Sequence, residues 1–392
     1  MKKILVLNSG SSSLKYQLFT VDGDKFDVVA SGVAERIGDE GSFVSAKIGD
    51  GEKVTKNIAM PTHVEALNEA LSLLLNGAIK SLDELNGVGH RIVHGGEYYN
   101  KSVVVTDEVI KHLEELSALA PLHNPANVLG IKAITKLLPN VKQVVVFDTA
   151  FHQTMKKEAF LYALPIEQYE QHKIRRYGFH GTSHYFVSSK AAEMIGKKGK
   201  IIVCHIGNGA SLSAVDNGKC VDTSMGFTPL AGVVMGTRSG DIDPYVALHI
   251  MKTQGKSVDE VNNMLNKQSG ILGLSGLGDM RDLEDAYAKG DEKAVTAMNV
   301  YIHVLLRFIG SYAAVLGGVD AIAFTAGVGE KSPFVRKMLC ERLAYMGIEL
   351  DEEANNKRGQ AMEITTKNSK VKVLVVPTNE ELVIAQDTAG LI

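Results

Sequence analysis

Cysteine and proline are scarce in this 392-residue chain, at three and nine residues. Cys204, Cys220 and Cys340 show no close pairing, which excludes a disulfide framework and a Cys-x-x-Cys metal site. So little proline leaves few rigid linkers, and no Pro/Ser-rich or low-complexity run marks a domain boundary. Neither sign of charge dominates. The 42 Lys+Arg against 45 Asp+Glu leave a net charge of −3, which argues against a basic nucleic-acid binder. No run suits an export signal: Ile4–Leu7 ends at Asn8, short of the ~7–15 apolar residues such a signal needs. The most apolar long stretch, Ala297–Leu316, carries His303 and Arg307, and an arginine there is costly in lipid. It reads as a buried core helix stopped by Gly317 and Gly318. A cytoplasmic address is expected, with neither membrane nor nucleic acid as partner.

Two common site patterns are also missing. Gly255-Lys256-Ser257 has Ile250 where a Walker A loop needs its leading glycine. Phe179-His180-Gly181-Thr182-Ser183-His184 spaces two histidines like a zinc helix but has no acid between them, and its glycine favours a turn.

What is present is an ordinary globular composition, 45% hydrophobic and 22% charged, long enough for about two or three domains. The 38 glycines predict many tight backbone approaches. Two segments look alike, Ile4–Lys15 and Ile201–Ser213. Each is a short buried strand, a Gly/Ser/Asn turn and a second apolar–polar run, which predicts two β-hairpins. Lying half a chain apart, they suggest an internal duplication. Apolar strands at Val141–Phe147, Asp320–Thr325 and Val371–Val376 interleave with helical patterns at Val64–Leu75, Asp107–Leu119, Pro244–Lys252, Glu292–Leu316 and Glu380–Asp387. That alternation predicts an α/β protein.

The candidate chemistry sits on the turns. Asn8-Ser9-Gly10-Ser11-Ser12-Ser13-Leu14-Lys15 is either a polar hairpin tip or a phosphate cradle with Lys15 supplying charge. Gly207-Asn208-Gly209 is its counterpart, and Gly-rich turns follow at Gly276–Arg281 and Gly327–Lys331. Together these loops favour nucleotide binding. On the strand Val88–His94, period two puts Arg91 and Val93 on one face. A guanidinium beside a small apolar side chain suits a small carboxylate; pairing with a structural acid is the alternative. Asp148 follows a strand end, where open α/β sheets gather ligands, and also suits a cap. Arg238 lies between glycines, a mobile phosphate clamp, and Asp243-Pro244 reads as a helix start. Thr378 with Glu381 reads as a capping box, which leaves Glu380 free for a metal.

Six strings then resemble the acetokinase family: Asn8-Ser-Gly-Ser-Ser-Ser-Leu-Lys15, Gly89-His-Arg-Ile-Val-His-Gly-Gly96, Pro121-Leu-His-Asn-Pro125, Phe147-Asp-Thr-Ala-Phe-His152, Tyr177-Gly-Phe-His-Gly-Thr-Ser-His184 and Pro377-Thr-Asn-Glu-Glu381. The resemblance implies a two-lobed, duplicated ribonuclease-H-like (actin-like ATPase) fold with an interlobe nucleotide cleft. Its lobes would be residues 1–149 plus 383–392, and 150–382. It also implies a homodimer and reversible transfer from ATP to acetate, giving ADP and acetyl phosphate, with Mg²⁺ or alternatively Mn²⁺. Carried over, Asn8 and Glu380 would hold the metal, and Lys15, Ser11 and Ser13 the phosphates. Arg91, His123, Asp148, His180 and Arg238 would form the reaction centre, and Val93, Leu122, Phe179 and Pro229 the methyl pocket. The nucleotide would meet His205, Ile206, Gly207, Asn208 and Gly209, then Asp279, Met280 and Arg281, then Gly327, Val328, Gly329, Glu330 and Lys331. Met280 and Lys331 depart from residues that also occur in the family, phenylalanine and asparagine. Propionate kinase is the nearest alternative, butyrate kinase a weaker one, and an actin-like ATPase the alternative from another class.

Overall fold

The computed structural model describes residues 1–10, 12–120 and 123–392. It divides into two units, Met1–Phe151 with Asn379–Ile392, and His152–Thr378. The second junction falls before the C-terminal helix Glu380–Leu391, not inside it at 382/383, because the whole helix packs on first-unit strands.

The strands of the first unit are β1 (Lys2–Ser9), β2 (Ser13–Asp22), β3 (Lys25–Glu35), β4 (Phe43–Ile48), β5 (Val54–Asn57), β6 (Gly87–Ile92), β7 (Val103–Val104) and β8 (Lys142–Phe147). Among the described residues they form one sheet in the order β5-β4-β3-β2-β1-β6-β8-β7. The second unit carries β9 (Lys200–Ile206), β10 (Ala210–Asp216), β11 (Lys219–Thr223), β12 (Ala321–Thr325), β13 (Met362–Glu363) and β14 (Lys372–Val375). Its order is β11-β10-β9-β12-β14-β13. In both sheets three antiparallel strands lead into two parallel ones: β3-β2-β1-β6-β8 in the first, β11-β10-β9-β12-β14 in the second. The two hairpins predicted from sequence are β1–β2 and β9–β10, so the duplication is one of strand order as well as motif.

β1 reads as a continuous apolar run because both of its faces are covered. Leu5 and Leu7 join the cluster containing Leu67, Leu71 and Leu74 of the helix His63–Leu75. Ile4 and Val6 join Ile384 and Ala385 of the C-terminal helix. Each such leucine, cut to alanine, costs about 2–5 kcal/mol. Gly89 of β6 lets the C-terminal helix sit close: a Cβ there would stand 2.4 Å from Thr388 Oγ1 and 2.6 Å from Ile384 Cγ2. That approach brings the start of this helix to the strand that carries Arg91.

The helix Glu292–Leu316 has the predicted bounds, capped by Asp291 at its start and by left-handed Gly317 (φ 63°) at its end. It is not buried all round, as the sequence suggested. One stripe faces the interior, from Ala294 and Met298 through Leu305 to Leu316, while Val300 and Val315 are exposed. By length and composition this helix could cross a membrane, but its apolar stripe is occupied by the sheet and neighbouring helices. Asp243 caps the helix Pro244–Gln254 as expected, accepting from Tyr245 N–H at 2.9 Å.

Candidate active site

Arg91 leaves β6 one residue before the strand ends. Period two holds through the end of the strand: Arg91 and Val93 are partly exposed, whereas His90, Ile92 and His94 are buried. Val93 itself lies beyond the strand, and its N–H donates to Asn127 Oδ1 at 3.3 Å. Asp148 continues the parallel ladder from β8, donating its N–H to Ile92 O at 2.9 Å. Its buried carboxylate accepts from Arg91 Nε at 2.9 Å and Nη2 at 2.7 Å. Glu380, first residue of the C-terminal helix, stands 3.4 Å from Arg91 Nη1. Burial opposes the charge on Arg91, but Asp148 and Glu380 outweigh it and raise the pKa. Burial raises the pKa of Glu380; Arg91 pulls it down, while Asp148 and Glu381 push it further up.

The capping box read from the sequence does not form. Thr378 Oγ1 donates to Ser183 Oγ at 2.8 Å, so its hydroxyl is spent elsewhere. The N-cap is Asn379, whose Oδ1 accepts from Leu382 N–H at 3.0 Å. Glu381 is therefore not held as a cap, and it lines a cavity of about 370 Å³ with Asn8 and Lys15. Asn8 and Lys15 are direct cross-strand partners on the β1–β2 hairpin, so they share a face. At the hairpin tip Gly10 N–H donates to Ser13 O at 2.8 Å. Ser11 and Leu122 lie outside the described residues. His123 precedes the helix Asn124–Leu137, and Asn127 of that helix donates to Ser9 O at 2.8 Å while holding Val93 N–H. One asparagine thus ties the hairpin carrying Asn8 to the strand end carrying Arg91.

In the second unit a cavity of about 650 Å³ opens beside the β9–β10 tip. Gly207, Asn208, Asp279, Met280, Arg281, Gly327, Val328 and Lys331, drawn from three separate glycine-rich loops, line it together. His205, Ile206, Gly209, Gly329 and Glu330 are not among its lining residues. Ile206 is fully buried. The Glu330 carboxylate turns back on its own helix start, accepting from Ala326 N–H at 2.8 Å and Thr378 N–H at 3.3 Å. Asp279 caps the helix Met280–Ala288 and grips Arg281 Nε and Nη2 at 3.0 and 2.7 Å. Sequence reasoning missed Gly236, Ile271, Glu284, Ser332 and Arg358, which also line the cavity. A signal existed for Gly236, in the glycine-flanked Arg238 loop: a Cβ there would stand 2.0 Å from Asn208 Oδ1. Arg358 follows a short helix with no motif around it.

Arg238 converges on the same hairpin tip. A Cβ at Gly209 would lie 3.6 Å from Arg238 Nη1 and 3.8 Å from His180 Nε2. Arg238 Nη1 donates to Pro229 O at 3.1 Å, and among the described residues no carboxylate lies within ion-pair distance of its guanidinium. Desolvation lowers its pKa. Burying a cation with no paired anion carries a desolvation cost that nothing among the described residues offsets. His180 stacks on His205 with ring centroids 4.2 Å apart. Phe179 is buried, its carbonyl bonded to His152 Nε2 at 3.0 Å.

Among the described residues no three His, Cys, Asp or Glu converge as a metal cage. Mg²⁺ rarely uses one, binding through one or two carboxylates and the substrate's phosphates. The crowding of Asp148, Glu380 and Glu381 around one arginine, with the Asn8 amide on the neighbouring strand, fits a hard cation.

Two ribonuclease-H-like sheets of the same strand order, each with a small-residue hairpin, define the actin-like ATPase class of α/β phosphotransferases. The acetokinase family model matches residues 3–386, and the chain belongs to that family. It is 56% identical to an acetate kinase of Thermotoga petrophila, covering 100% of this chain and 98% of the relative. The structure of Porphyromonas gingivalis acetate kinase superposes with a TM-score of 0.94 at 48% identity, covering 100% of both chains. That of a propionate kinase from Francisella tularensis gives 0.94 at 42%, again covering 100% of both.

Proposed function

We propose that this chain is a kinase that moves the γ-phosphoryl group of ATP to acetate, reversibly, by direct in-line attack. Identities of 56% and 48% with acetate kinases over the whole chain support the substrate pair. The observation that carries the mechanism is the contrast between an acid-clamped Arg91 and an Arg238 that pairs with no carboxylate among the described residues.

Acetate is an anion at neutral pH, so its oxygen needs no general base. The new bond joins that oxygen to the γ-phosphorus, the bond to the β,γ-bridging oxygen breaks, and ADP leaves with that electron pair. What remains is to hold two anions together and neutralise the transition state. Arg91 binds the carboxylate, oriented by Asp148, which thereby acts as a positioning acid. Arg238, His180 and His123 neutralise phosphoryl oxygens, and Lys15, Ser11 and Ser13 serve the phosphate chain. Val93, Leu122, Phe179 and Pro229 wall the methyl group. Adenosine lies along Gly207–Gly209, Asp279–Arg281 and Gly327–Lys331, with His205 and Ile206 supporting the first loop from β9. Asn8 and Glu380 would hold Mg²⁺, or Mn²⁺, whose charge offsets the nucleotide's phosphates when bound. A homodimer in the cytoplasm, where ATP is made and used, belongs to the same proposal.

The Francisella relative favours propionate kinase as the second reading. Acyl phosphate formation with acetate, propionate and butyrate separates the readings: kcat/KM highest for acetate supports the first, highest for propionate the second.

A further inference from the structure

His180 opens the helix Gly181–Met194 with a left-handed backbone, φ 58° and ψ 25°. Its Nδ1 lies 2.9 Å from Ser211 Oγ, on β10. The same hydroxyl lies 2.7 Å from His184 Nε2, one helical turn further on. Ser211 and His184 are fully buried, and His184 Nδ1 has no hydrogen-bond partner among the described residues. Burial, then His152 and His205, hold the His184 pKa well below its ordinary value. The ring is therefore neutral, with one donor and one acceptor nitrogen.

Counting hydrogens fixes the chain. A hydroxyl has one proton, so Ser211 donates to one ring and accepts from the other. An orphaned N–H in a protein interior is rarer than an under-used lone pair, so His184 leaves Nδ1 bare and carries its proton on Nε2. That N–H donates to Ser211 Oγ, and Ser211 donates to His180 Nδ1. A neutral His180 then has its proton on Nε2, which would lie 3.8 Å from a Gly209 Cβ, with Arg238 Nη1 3.6 Å from the same point.

We propose that Ser211 and His184 are positioning residues that fix His180 as its Nε2–H tautomer, ready to donate to a phosphoryl oxygen. The inference rests on the role given to His180 above. The test uses the full-length protein labelled with ¹⁵N-histidine, whose ring nitrogens report the tautomer by long-range ¹H–¹⁵N correlation, with His180→Gln assigning the signals. The expected result is Nε2–H in the wild type and a shift toward Nδ1–H in Ser211→Ala. That variant should lose kcat by on the order of tenfold or more, against roughly 10⁴-fold for a fully misplaced tautomer. KM for ATP and acetate should change little, and Ser211→Thr should restore kcat. A wild-type His180 protonated on Nδ1, or a tautomer unmoved in Ser211→Ala, overturns the proposal; the wild-type spectrum decides even if the variant does not fold. Absence of acyl phosphate formation by the wild type would instead overturn the reaction itself.

Discussion

Arg91 and Arg238 carry the same guanidinium into opposite surroundings. Asp148 takes two of the Arg91 nitrogens and Glu380 a third, so one cation faces two anions. Among the described residues, the Arg238 guanidinium bonds only the Pro229 carbonyl and the Met235 sulfur, the latter at 3.8 Å. A bidentate clamp fixes direction; an unneutralised charge out of water stores attraction for an incoming anion. The difference teaches that the first arginine is built for aim and the second for charge.

The largest test removes each arginine in turn. Arg91→Ala and Arg238→Ala should each cost about 3–4 kcal/mol of transition-state stabilisation while circular dichroism stays unchanged. The contrast predicts a split: Arg91→Ala raises the KM for acetate strongly, whereas Arg238→Ala acts mainly on kcat. Equal effects on acetate KM would erase the distinction.

Val93→Ala comes next. Arg91 and Val93 share a face, so a carboxylate on the guanidinium puts its tail at the valine. Enlarging that space should favour propionate over acetate by about 1–3 kcal/mol in kcat/KM, with ATP KM unmoved. An unchanged preference would take Val93 out of the pocket.

Glu380→Ala should raise the Mg²⁺ requirement by about tenfold, as loss of a metal-supporting carboxylate does. Because Glu381 is not a cap and shares a cavity with Asn8 and Lys15, Glu381→Ala should also weaken metal or phosphate binding and leave thermal stability alone. A stability loss without a kinetic effect would restore the capping role. The smallest effect belongs to Asn379→Ala, a lost N-cap worth about 1 kcal/mol in thermal or urea unfolding.

Much of this was legible in the residues. The Asn8–Lys15 and Gly207–Gly209 turns announced themselves because buried strands flank them, and hairpin register follows from so short a turn. The bounds of Glu292–Leu316 were readable because Asp291 and Gly317 are local signals; its one-sided burial was not, since tertiary neighbours decide which stripe is covered. The Thr378–Glu381 box misled for a related reason. Ser183, far away in sequence, claims the threonine hydroxyl, and Asn379 takes the cap one residue later. Arg358 reaches the second-unit cavity only through folding, so no local pattern marked it.

The central claim is that a carboxylate, not water, accepts the phosphoryl group. ADP release from ATP and Mg²⁺ should be measured with and without acetate, together with acyl phosphate. The account predicts ADP only when acetate is present, matched one to one by acetyl phosphate. ADP released at the same rate without acetate, with inorganic phosphate as its partner, would contradict it.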